Sequence, residues 1–171
     1  MASLLDKYVF QALEAYPYDL MEAVEAINYA LSYDEKNPIV LCLMGQIQAE
    51  ALKDYEAAKS YYQQALAENI YCFDVYPNYI NVLLWNEEYD AAARLIEFGL
   101  SVKGTDKGIL YQKKALLLEH QKAYKEALKW LKVGKEHTYN AMLMQEIKED
   151  EIRVKEKIPK KKKKRTEEKE T

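Results

Sequence analysis

One pattern recurs four times along this chain, and it limits what the chain can fold into. Aligned on Ala23, Ala58, Ala92 and Ala127, the copies are spaced by 35, 34 and 35 residues. Four positions after each alanine stands a bulky residue, Ile27, Tyr62, Ile96 or Leu131, and seven positions after it a small one, Ala30, Ala65, Gly99 or Gly134. Positions i, i+4 and i+7 share one face of a helix. The two small residues let a neighbouring helix backbone approach, and the bulky one fills the gap between them. Three residues before each alanine, Leu20, Tyr55, Tyr89 and Tyr124 are placed to cover the start of that helix. With only five glycines and four prolines in 171 residues, the chain is expected to be helical almost throughout.

A repeat of this length, built on a small-large-small helix, resembles the tetratricopeptide repeat, a helix-turn-helix unit of about 34 residues. The resemblance covers roughly residues 4 to 136. The second-helix motif is matched in all four copies. The first-helix motif is matched in part, by bulky Leu41, Tyr76 and Tyr111 and by small Gly45 and Ala115, with Ile80 breaking the pattern. A repeat-end proline appears only at Asn37-Pro38, and the first unit, Ala2 to Tyr33, shows no clear first-helix signature. The resemblance implies an all-α, right-handed solenoid of about four stacked helical hairpins.

The expected helices run over about 2–15, 19–33, 38–52, 55–68, 74–86, 88–102, 106–120, 123–136 and 139–157. Asn37 caps the third, with Pro38 in its first position. Pro77 is tolerated if Asp74 is the N-cap of the fifth helix and forces a kink if that helix starts earlier. Gly104 is expected to end the sixth helix and Thr105 to cap the seventh. The reading divides the chain into a repeat domain over 1–137, a capping helix over 138–157 and a disordered, charged tail over 158–171. The capping helix is expected to cover the solenoid's end with its first half and to lie in water with its second.

The charge is divided. Of 25 basic and 28 acidic residues, the stretch from Ile158 holds seven and three, so the body is near −7 and the tail near +4. Two cysteines, Cys42 and Cys72, make no disulfide framework or zinc pattern, which fits a reducing compartment. The longest apolar run, Ile39 to Gly45, is too short to span a bilayer, and the N-terminus has no signal-peptide pattern. A cytoplasmic protein is expected.

Chemistry is hard to find. The glycines stand alone at 45, 99, 104, 108 and 134, so no phosphate-cradling loop occurs. His120 and His137 lie at helix ends without metal-ligand spacing, and no serine has a nucleophile setting. Cys42 sits in an apolar run that raises its thiol pKa. No catalysis, cofactor or metal is expected.

Binding remains. Repeats of this kind present the inward face of their first helices as a concave groove. The resemblance places Ile39, Cys42, Gln46, Asp74, Asn78, Asn81, Ile109, Gln112 and Leu116 there, a mixed surface suited to the backbone of an extended or helical peptide. The other reading is that the ninth helix fills this groove. The carboxylate clamp by which some members of the family hold acidic chaperone tails is not matched: its positions carry Cys42, Gln46, Asn78, Ile109 and Lys113, without the positive pair. The expected role is a non-catalytic scaffold that holds a protein or peptide. An alternative is an RNA- or ribosome-associated accessory protein using Lys160, Lys161, Lys162, Lys163, Lys164 and Arg165 for phosphate contacts. The run Pro159 to Arg165 also resembles a nuclear import signal or a patch for anionic lipid, and the plain reading is a solvated, solubilising tail.

Overall fold

The computed structural model describes residues 3–159. Among them are nine α-helices and no strand: α1 Leu4–Ala15, α2 Leu20–Tyr33, α3 Pro38–Ile47, α4 Tyr55–Glu68, α5 Val75–Trp85, α6 Tyr89–Ser101, α7 Lys107–His120, α8 Tyr124–Glu136 and α9 Ala141–Lys157. A π-helical turn, Gln48–Leu52, continues α3. Consecutive helices pair as hairpins α1/α2, α3/α4, α5/α6 and α7/α8. The first helices also touch one another in a row, α1 to α3 to α5 to α7 to α9. This is a solenoid of stacked helical hairpins.

The repeated columns are its core. Ala23, Ala58, Ala92 and Ala127 are wholly buried, and so to within 1% are the bulky residues four positions on. Where the first-helix pattern breaks, volume is exchanged across the hairpin. Gly45 of α3 faces Tyr62 of α4 so closely that a Cβ there would lie 2.6 Å from Cε1 of the ring. In the next hairpin Ile80 is accommodated in the same cluster as Ile96, which is smaller than Tyr62, and in the last Ala115 shares a cluster with Leu131. A large second-helix residue is therefore matched by a small first-helix one, and two intermediate ones suffice elsewhere. Tyr55 and Tyr89 seal the next hairpin's turn, with ring centroids 6.0 Å from Trp85 and from His120.

Short polar residues start the helices. Asp19, Asn37, Asp54, Asp106 and Asn140 each accept a hydrogen bond from the first turn that follows, and Ser3 with Asp6 forms a reciprocal capping box on α1. The first hairpin is thus complete. Val9, Ala12 and Ala15 of α1 are buried against α2 and α3, although no first-helix signature marks them. Thr105 does not cap α7; Asp106 does, and the Thr105 hydroxyl instead donates to the carbonyls of Gly99 at 2.8 Å and Val102 at 3.0 Å, closing the end of α6. Asp74 takes the N-cap position of α5, so Pro77 falls in the first turn, where its missing N–H costs nothing.

The expectation for α9 changes more. Its second half does not simply lie in water: Val154 is buried, and Asp150, Glu151, Arg153 and Lys157 all bond to α7 or α8. Ile158 and Pro159, read as the start of the tail, lie against the α7–α8 turn.

Gly45→Val drives a branched side chain into the Tyr62 ring and is expected to cost about 2 kcal/mol in urea unfolding, with part of the loss recovered when Tyr62→Ile is added. The turns inside the later hairpins each hold one residue at positive φ, Lys53 at 57°, Glu87 at 58° and Lys122 at 62°. Lys122→Gly removes that strain and should raise the urea midpoint, a gain of about 0.5–1 kcal/mol.

Candidate functional site

The row of first helices carries the expected groove positions because a spacing near 35 residues brings α3, α5 and α7 into register. Ile39 is 45% exposed at the start of α3, and Asp74 is exposed at the start of α5. Gln46, Asn78, Asn81, Ile109, Gln112 and Leu116 are half-buried. Cys42 is only 4% exposed and offers the groove little surface. The neighbouring Cys72 sulfur first, and burial second, push the Cys42 thiol pKa up, while Asn78 of α5 acts the other way. The Asn78 amide donates to the Asp74 carbonyl at 2.8 Å, so part of its hydrogen-bonding capacity is spent within α5. The side chains of Gln46 and Asn81 make no hydrogen bond to the described residues.

α9 closes one end of this face. The Gln112 amide donates to Asp150 at 2.8 Å, and Leu116 lines a cavity of about 430 Å³ between α7 and α9. Among the described residues, α9 thus covers this face along the later turns of α7 and leaves it uncovered from α3 to the first turn of α7. The closure is electrostatic. Glu119, 6% exposed, accepts a forked pair from Arg153, Nε at 3.0 Å and Nη2 at 2.7 Å, and a third bond from Lys157 at 2.7 Å. Arg153 also reaches Asp150 at 2.6 Å, and Lys135 pairs with Glu151 at 2.7 Å. These hydrogen bonds, those from Arg153 foremost, push the Glu119 carboxyl down to about 2 against the opposing effect of burial. Lys113 lines the same cavity, and burial lowers its pKa.

Two further hollows were not visible in the sequence. One of about 600 Å³ lies between α4 and α6, bordered by Lys59, Gln63, Tyr79 and Arg94. The other, about 250 Å³ and mostly apolar, lies between the first turns of α5 and α7, where Asp74 and Ile109 meet Phe73, Pro77 and Asp106. Phe73 and Asp106 lie in the loops just before α5 and α7, outside any repeat column. Among the described residues no helix is long and apolar enough to cross a membrane, and no group of three His, Cys, Asp or Glu is placed to hold a metal. Lys160 to Arg165 lie outside the described residues.

No protein-family model matches this sequence, and no curated protein matches it. A solved structure does match in shape. It is described as "Functional Characterization of Pseudomonas Aeruginosa pilF", a protein containing tetratricopeptide repeats. The TM-score is 0.72 at 16% sequence identity, over 90% of this chain and 73% of that one. The fold is tetratricopeptide-like. At that identity the likeness concerns the arrangement of helices and carries over no ligand or partner.

The α9 latch gives a pH-dependent expectation. An unfolded glutamate titrates near 4.5 and the folded Glu119 near 2, so the latch stabilises fully above about 4.5 and is lost as pH falls toward about 2. Because Arg153 and Lys157 remain partly in water, Glu119→Gln should cost about 1–2 kcal/mol at pH 7. The gap between the urea midpoints of the two proteins should narrow near pH 3 and close only as pH approaches about 2.

Proposed function

We propose that this chain is a non-catalytic interaction scaffold that holds an extended or helical segment of a protein partner on the open part of its concave face. The observation that carries this is the pairing of exposed Ile39 and half-buried Ile109 with the amides of Gln46 and Asn81, unpaired among the described residues, on adjacent first helices. A peptide backbone laid across α3, α5 and α7 finds donors and acceptors in those amides and apolar contact between them. The fold supports this use, since stacked hairpins expose one continuous inner surface while the repeated columns hold the core. Two cysteines with free thiols suit a cytoplasmic setting, which belongs to the same proposal.

The experiment is capture of partner proteins from a native lysate by the full chain and by an Asn78→Arg, Asn81→Arg variant. Far-ultraviolet circular dichroism is recorded on both. The variant is expected to keep its helicity and lose its partners; undiminished capture would sink the groove reading.

A further inference from the structure

The hollow between α5 and α7 has properties that the general reading does not use. Its walls are apolar, formed by Phe73, Tyr76, Pro77, Ile109 and Leu110. Its volume of about 250 Å³ lies below the usual size of small-molecule sites and suits one large side chain. The walls are also fixed in advance. The Tyr76 hydroxyl donates to the Ile70 carbonyl at 2.8 Å, and Asp106 accepts from the Ile109 N–H at 3.1 Å. Gly104, at φ 98°, lets the Phe73 ring come so near that a Cβ there would lie 2.9 Å from Cζ. A guest would meet a formed cavity, with little ordering left to do.

The margin of the hollow is acidic, and no cation among the described residues pairs with it. Asp74 holds an N-cap position without using its side chain there, and its carboxylate makes no hydrogen bond or ion pair with the described residues. Asp106 gives one oxygen to the α7 cap, and neither Lys103 nor Lys107 is ion-paired to either carboxylate. The apolar surface continues outward. Phe73 and Tyr71 pack edge to face at 6.2 Å, both exposed, and Cys72 between them places its sulfur 3.7 Å from the Pro38 carbonyl at the start of α3, beside Ile39. The body as a whole is near −7, which steers a cationic segment toward it.

We propose that this hollow is the anchor site of the groove, taking one aromatic or large aliphatic side chain of the partner with a lysine or arginine beside it on Asp74 and Asp106. The anchor rests on the groove reading above and adds the chemistry of the segment that the groove selects. The apolar side chain supplies burial, and the paired carboxylates discriminate between a basic and an acidic neighbour.

The test is methyl NMR on the full chain, with isoleucine and leucine methyls labelled, titrated with the blocked peptide Gly-Ser-Lys-Phe-Lys-Ser-Gly. The Ile109 and Leu110 methyls should shift in a saturable way while Ile147, in the α9 contact, stays in place. Replacing the peptide lysines by glutamates, or Asp74→Lys in the protein, should weaken binding about tenfold, and replacing the phenylalanine by alanine should remove it. Absence of any Ile109 shift at millimolar peptide overturns the anchor, as does equal binding of the glutamate peptide. If the anchor fails while partner capture still depends on Asn78 and Asn81, only the chemistry assigned here is lost. If the peptide binds at Ile109 and capture ignores those asparagines, the wider groove falls and the anchor stands.

Discussion

Everything in this structure depends on how closely helix backbones approach where one of them carries no more than a methyl group. The α2, α4, α6 and α8 columns are small at two positions and bulky between them, so each second helix lies tightly on the helices before and after it. That proximity keeps the spacing of successive hairpins constant. A constant spacing in turn aligns the first helices into one face. The Gly45 and Tyr62 contact shows how little room remains, since adding a single carbon to that glycine would require an aromatic ring to move. The candidate binding surface is thus a by-product of packing arithmetic on the opposite side of the same helices.

Much of this was legible in the residues because a solenoid repeats its packing problem. Four copies of one column pattern located the second helices, and α4 runs over Tyr55–Glu68 as expected. The first helix of the first hairpin was harder to read: α1 buries Val9, Ala12 and Ala15, small or medium residues that match no motif but suffice when only one side is covered. Thr105 and Asp106 show another limit. Both residue types cap helices, and only the path of the chain decides that the hydroxyl turns back to α6 and the carboxylate forward to α7.

The site was legible in outline and not in detail. Register alone brought Ile39, Asp74, Asn78 and Ile109 to one row, but burial of Cys42 depends on how deeply α3 sits between α4 and α5, which no spacing reveals. The closure by α9 was also hidden. In sequence the stretch Lys148 to Lys157 is a run of mixed charge that reads as solvated. In the structure one carboxylate, Glu119, gathers two of those cations across about 35 residues of chain. Partners that distant leave no periodic trace, and the same holds for Phe73 and Asp106, which border the α5–α7 hollow from loops between the repeats.

The core divides into three clusters, one around α1 to α3, one from α3 to α7 and one around α7 to α9, each touching only its neighbours. In a chain built this way the ends can loosen while the middle stays folded, because among the described residues the first hairpin is not packed against the last. A segment lying across the inner face would be the first thing to span several hairpins at once. Its arrival would be felt as cooperativity, turning a stack that opens from its ends into one that opens all together.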